Sequence, residues 1–359
     1  MNLKPQSCGH FQRVGRMIMN IVIVGGGTGT SVVAGALQGH GHHVTALVNV
    51  FDTGGSTGKL ANAYGVTPMG DVRQVILALV SDPAKFALRD FLRDHYYTLG
   101  DLKGVRAGNL LLADEESKAW GEYGGSFVTA ICRFRQLLGV KEDILPVSLD
   151  SAALVYRKKN GLEPLRGERE ISGWLTGQDT VNLSSFGLIP ASSSQQCLLL
   201  PGAREAIMSA DHIVLAPANF FLSLVPTLLV DGMKDALEAC SAQLTYVCNL
   251  MREKGVLAQY GVRDYAAALA HFLPSGRLNT VLYNEVIPDE AKWRGLVRAD
   301  DLGPVEYGEE FEGCQSFGAD LWEDAHPPSP STYSEMAATR NRIRHDKEKL
   351  ADALARLWQ

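Results

Sequence analysis

Residues 20–29 read Asn-Ile-Val-Ile-Val-Gly-Gly-Gly-Thr-Gly, and this stretch decides the fold. Ile21 to Val24 are β-branched and apolar without alternation, the pattern of a strand covered on both faces. The run stops at Gly25, Gly26, Gly27, Thr28 and Gly29, and the small residues of Ser31 to Leu37 follow in a helical pattern. A loop without β-carbons lets backbone amides approach phosphate oxygens, and the helix adds its positive N-terminal end. Strand, glycine loop and helix together open a Rossmann-like unit with a phosphate-bearing ligand. Thr30 stands where GxGxxG has its third glycine, which weakens an NAD reading.

Downstream, His43 to Val50 reads as a second buried strand ending at Phe51-Asp52. Asp52 lies where a ribose-binding acid or a magnesium ligand would stand. The loop after it, with Gly54, Gly55, Ser56 and Lys59, reaches the same sheet edge. It fails as a Walker loop, because Thr53 and Leu60 occupy two required positions. Asp71 then opens a helix bearing Val72, Val75, Ile76 and Leu79, and is placed to cap it. Its alternative role is to share magnesium with Asp52, and Arg73 is a candidate phosphate partner. Another helix carries Phe127, Ile131, Phe134 and Leu138.

From 144 to 200 the character changes to short, Ser- and Gly-rich segments. Ala152 to Arg157 followed by Asn160-Gly161 predicts a hairpin within an antiparallel insertion. The α/β rhythm resumes with strands over Asp211–Ala216, Gln243–Cys248 and Asn279–Tyr283. Asn109, Asn219, Ser223 and Asn249 fall at element ends on the predicted rim, where such residues cap helices or touch ligands. The expected fold is α/β, a doubly wound, mostly parallel Rossmann-like sheet over 20–299. Residues 1–19 read as an extension. Nine acidic residues and no Lys or Arg between Asp300 and Asp324 mark 300–333 as an exposed, Pro-containing excursion. Residues 334–359 carry a final helix, capped by Asp346, that docks on the body.

Composition narrows the classes. A net charge of -6 argues against a general affinity for nucleic acid. Six scattered cysteines without CxxC fit a reducing cytoplasm rather than a disulfide framework. The longest apolar run, Phe220 to Val230, is broken by Ser223 and Pro226 and is too short to enter a membrane as a span. The sequence is compatible with a homodimer.

Taken in order, GGGTG, VFDTGGSTGKL, PMGDVRQVILAL, GNLLLA, ILPVS, IVLAPANFFLSLVPTLLV, YVCNLM and HDKEKLADAL resemble the family of 2-phospho-L-lactate transferases (CofD) and YvcK-type gluconeogenesis factors. GGSTG, PMGDVR and GNLLL look more like the YvcK branch. That branch implies a cytoplasmic, UDP-sugar-binding protein acting on carbon metabolism and the cell envelope. The other branch implies a magnesium-dependent transferase that moves a phosphoester group from a nucleotide diphosphate carrier to a deazaflavin-like acceptor. The resemblance carries ligand roles to Gly25 through Gly29, Asp52, Asn109, Asn219 and Ser223. No residue stands out as a catalytic base.

Overall fold

The computed structural model describes residues 18–52, 54–122, 127–159, 163–191, 196–294, 303–308, 310, 312–323 and 343–359. Thr53, the Asn160-Gly161 pair, residues 1–17 and, in the acidic and proline-containing stretch, 300–302, 309, 311 and 324–333 lie outside them.

The apolar run of the opening strand folds as β1 (Asn20–Gly25), and Ile21 to Val24 are at most 2% exposed. Side chains this completely covered on both faces require layers above and below the sheet. The first layer comes from α1 (Gly27–Leu37), which leaves the glycine loop directly. Next are β2 (His43–Val48), α2 (Gly55–Tyr64) and α3 (Gly70–Ala78). Then come α4 (Phe86–Asp94), α5 (Ala107–Glu122), α6 (Phe127–Leu138) and β3 (Asp143–Pro146). Gly139, at φ +71°, ends α6 in the left-handed conformation that only glycine adopts without strain.

The chain now leaves the sheet. β4 (Ala152–Tyr156) pairs antiparallel with β5 (Leu165–Arg166) and β6 (Phe186–Pro190), and α7 (Gly167–Leu175) lies between the last two. The antiparallel insertion is therefore real, but it starts later than 144, since residues 144–146 belong to β3 of the parallel sheet, and it also holds a helix absent from the sequence reading. Tyr156, Trp174, Phe186 and Phe221 form a chain of ring contacts 4.5–5.0 Å apart that anchors it to the main body.

After α8 (Pro201–Met208) the chain re-enters the sheet at β7 (His212–Leu215) and passes α9 (Val225–Leu228) and α10 (Met233–Ala239). It continues through β8 (Gln243–Val247), α11 (Val262–Phe272), β9 (Thr280–Asn284) and α12 (Glu290–Trp293). The last elements are β10 (Gln315–Ala319) and α13 (Lys347–Leu357). The main sheet has order β10-β9-β8-β7-β1-β2-β3, with parallel pairing throughout. This is the doubly wound arrangement. The strand order reverses between β1 and β7, and in such sheets ligands bind outside that switch point.

Two expectations need correction. The stretch after Asp300 is not wholly an exposed excursion: Gln315–Ala319 extends the sheet beside β9, and Leu321 and Trp322 are buried. Asp71 does not cap its helix, which begins one residue earlier with Met69 at the N-cap position. Asp346 does cap α13, accepting from the amides of Glu348 and Lys349 at 2.9 Å. Leu350 and Leu354 of α13 are fully buried, and Trp358 stacks on His212 at 4.5 Å.

Candidate functional site

At the switch point a cleft of about 680 Å³ opens above the ends of β1, β7 and β8. The glycine loop forms its base. No side chain at Gly26 caps α1, and the first turn of that helix, Gly27 to Gly29, lines the cleft. Close packing explains the glycines better than backbone freedom does. A Cβ on Gly29 would stand 1.4 Å from the Pro217 carbonyl oxygen, and one on Gly26 would stand 2.8 Å from Cβ of Ser223. Segments following β1 and β7 can touch only because both stretches are stripped of side-chain bulk.

Asp71 closes one side. Its Oδ1 would be 2.6 Å from a Cβ on Gly27, and its Oδ2 accepts from Asn49 Nδ2 at 3.4 Å. Gln74, one turn further along α3, donates to Thr28 Oγ1 at 2.6 Å. Helix α3 thus points a carboxylate at the first turn of α1 rather than at its own amides. A carboxylate beside a helix N-terminus is favourable. Beside a phosphate it is not, unless a cation lies between them.

The opposite rim follows β7 and β8. Asn219 caps a single π-helical turn, Phe220–Leu224, by accepting from the Leu222 amide at 3.1 Å, and Ser223 sits within that turn. Asn249 donates to the Ala218 carbonyl at 2.9 Å, tying the two loops together. Beyond it Arg252, Glu253 and Lys254 line the cleft, as do Arg344 and His345 ahead of α13. The insertion supplies the remaining wall through Glu168, Ser172, Leu175 and Thr176 of α7 and its end. That wall is pressed home: Gly255 has φ +76°, and a Cβ there would lie 1.9 Å from the Leu175 carbonyl oxygen.

Burial displaces the titration of two groups here. Burial pushes the Glu253 carboxyl up to about 7, against the pull of a hydrogen bond from the Phe220 amide. Burial pushes the His345 imidazole down to about 4, opposed by its bond to the Cys248 carbonyl. That bond, from Nε2 at 3.0 Å, leaves Nδ1 as the acceptor of the ring. Cys248 itself is no nucleophile, since burial raises its thiol to about 12.

Of the residues singled out from sequence, Gly26, Gly27, Thr28, Gly29, Asp52, Asp71, Asn219, Ser223 and Asn249 line this cleft. Gly25 lies behind it, against Thr30 and Ala216. Gly54 donates its amide to Asp52 Oδ1 at 2.7 Å, and Gly55 begins α2 at φ +52°. Ser56 and Asn109 serve each other: Asn109 Nδ2 donates to Ser56 Oγ at 2.7 Å, joining α2 to α5 away from the cleft. Arg73 is buried with its stem against Gly108, and lines a neighbouring cavity of about 600 Å³. That cavity meets the cleft at Thr28, Gln74, Arg344 and His345.

The comparisons with known proteins agree with this architecture. The chain matches the family described as 2-phospho-L-lactate transferase CofD over residues 21–322. It belongs to the CofD family. Among its relatives, the gluconeogenesis factor of Bacillus subtilis is 31% identical over 338 residues, covering 94% of this chain and 97% of that one. A crystal structure of a UPF0052-family protein from Bacillus halodurans superposes with a TM-score of 0.77 at 26% identity, covering 94% of this chain and all of the other. The CofD match runs through β10 to Trp322, so the edge strand belongs to the family fold.

The magnesium that the resemblance implies would have to draw on the donors in the cleft. Among the described residues no group of three or more His, Cys, Asp or Glu is placed to hold a metal. Asp52 and Asp71 both line the cleft, and one or two carboxylates plus ligand phosphates is the usual magnesium set. These residues fit an ion that arrives with a diphosphate, not a protein-built cage. Bound there, it would neutralise phosphate charge facing Asp71.

Proposed function

We propose that this CofD-family protein binds a nucleotide or nucleotide-sugar diphosphate in the switch-point cleft and acts as a regulator of carbon metabolism or the cell envelope. The observation that carries this reading is the pairing of two surfaces. The first turn of α1 lines the same cleft as Arg252, Lys254 and Arg344. Helix amides and basic side chains both favour phosphate oxygens. Asp52 and Glu168, on either side of Gly54, offer acceptors to ribose or sugar hydroxyls. The relative's name, gluconeogenesis factor, supports the regulatory role.

The test is a thermal-shift series with UDP, GDP and their sugar derivatives, with and without magnesium. A ligand at 100 times its Kd stabilises by about 2.7 kcal/mol. No shift with any of them would remove this reading.

A second reading, magnesium-dependent transfer of a phosphoester group, is favoured by one observation. His345, neutral and with Nδ1 an acceptor, stands where the cleft meets the second cavity. An acceptor hydroxyl in that cavity would find in this ring a hydrogen-bond acceptor to orient it, an imidazole pushed down to about 4 being a weak base. Turnover by wild type that His345→Gln abolishes, with nucleotide affinity retained, would favour the transferase.

A further inference from the structure

The Arg252-Glu253-Lys254 stretch puts an acid between two cations on a cleft already assigned to an anion. Glu253 is half-buried and lines the cleft. The Phe220 amide and Asn249 Nδ2, at 3.4 Å, hold one face of its carboxyl. The groups around it come from every neighbouring element. Tyr246 stands on β8, Cys248 directly after it and Tyr265 on α11, all three pushed upward and uncharged at neutral pH. His345 comes from the segment before α13 and is neutral too. Arg252 and Lys254 flank Glu253 in sequence.

We propose that Glu253 is a proton-donating ligand contact: its carboxylic O–H bonds an oxygen of the bound nucleotide-sugar, so that the ligand enters together with a proton. This rests on the nucleotide reading and adds to it. A carboxylate at this position would repel a diphosphate bound in the cleft, whereas the neutral acid is a donor. The bound anion in turn favours the protonated form, so uptake is obligatory wherever the free protein has begun to ionise. Ionisation of Glu253, unlike that of His345, falls close to neutrality. It therefore sets the alkaline limit of binding.

The experiment is calorimetric titration with UDP-glucose and GDP-mannose, whose phosphate diesters do not titrate near neutrality, in buffers of different ionisation heat. Wild type should take up a growing fraction of one proton between pH 7 and 8, with affinity falling by up to about tenfold per pH unit above 7. Glu253→Gln should bind with no proton uptake and an affinity flat with pH. Equal uptake in wild type and Glu253→Gln, or binding by wild type with none, overturns the proposal. If neither nucleotide-sugar binds, the nucleotide reading fails by itself. Carboxyl-labelled NMR of the free protein still judges Glu253: a midpoint near neutrality sustains it, and one in the ordinary carboxylate range overturns it.

Discussion

At the scale of single residues the cleft depends on where β-carbons are absent. Gly27→Ala brings a methyl to 2.6 Å from Asp71 Oδ1, the end of a side chain that can swing aside. We expect a folded protein whose nucleotide-sugar affinity drops at least tenfold by calorimetry. Gly29→Ala meets the Pro217 backbone instead, so it should lower the melting temperature as well, with overpacking costs of about 1–3 kcal/mol or more. Asp71→Asn tests the cation. Removing this charge should tighten binding measured without magnesium and abolish any gain from adding it; a mutant that keeps the wild-type magnesium response would take Asp71 out of the site. The glycines were legible because a run without β-carbons after a buried strand has few other uses. The aim of Asp71 was not. Its position announces a helix start, but which loop lies across from that first turn is decided by the packing of α3 against α1. Glu253 and His345 carried no sequence signal of their own, since only burial in the fold displaces their titration; Arg252 and Lys254 went unread too, although their place after a parallel strand, like that of Asn249, could have found them.

At the scale of elements, the insertion matters through α7, which walls the cleft with Leu175 and Thr176. Its docking point is Gly255. Gly255→Ala adds strain at positive φ to a 1.9 Å clash with the Leu175 carbonyl, and the two should cost about 2–4 kcal/mol. Limited proteolysis should then cut near the insertion while the parallel sheet stays protected; unchanged protease resistance would mean that the wall yields without cost. Sequence patterning missed the elements whose stability is borrowed. The stretch forming α2 is rich in small residues and holds two glycines, Gly55 and Gly58, so its helix relies on neighbours such as Asn109. Strand β10 is a short, partly exposed edge inside an acidic stretch, where no buried run of apolar residues could mark it. Strands β1, β2, β7, β8 and β9 were readable because each is covered on both faces.

For the whole molecule, the two displaced titrations make opposing contributions to stability against pH. Glu253 rises from an ordinary 4.5 to about 7, so its stabilisation is complete below 4.5 and is lost as pH climbs to 7. His345 falls from 6.5 to about 4, so its stabilisation is complete above 6.5 and is lost as pH descends to 4. Between pH 4.5 and 6.5 the slopes oppose each other. Urea unfolding should show the contrast: Glu253→Gln should gain stability with rising pH across this range relative to wild type, and His345→Gln should lose it. Parallel pH profiles for all three proteins would contradict both assignments. Truncating the C-terminal anchor tests another global link. Leu354→Ala opens a fully buried site and should cost about 2–5 kcal/mol. Because α13 carries Arg344 and His345 at its entrance, ligand affinity should fall with it. The switch point also has a consequence for synthesis on the ribosome. Strand β1 emerges first but waits for its partner β7: the bond from the Asn20 amide to Asp211 spans 191 residues. Until then one edge of this buried, apolar strand is unpaired in the nascent chain, a natural client for chaperones. Arg344 and His345 emerge later still, so chains stalled before Ile343 should ignore a nucleotide-sugar that the released protein binds.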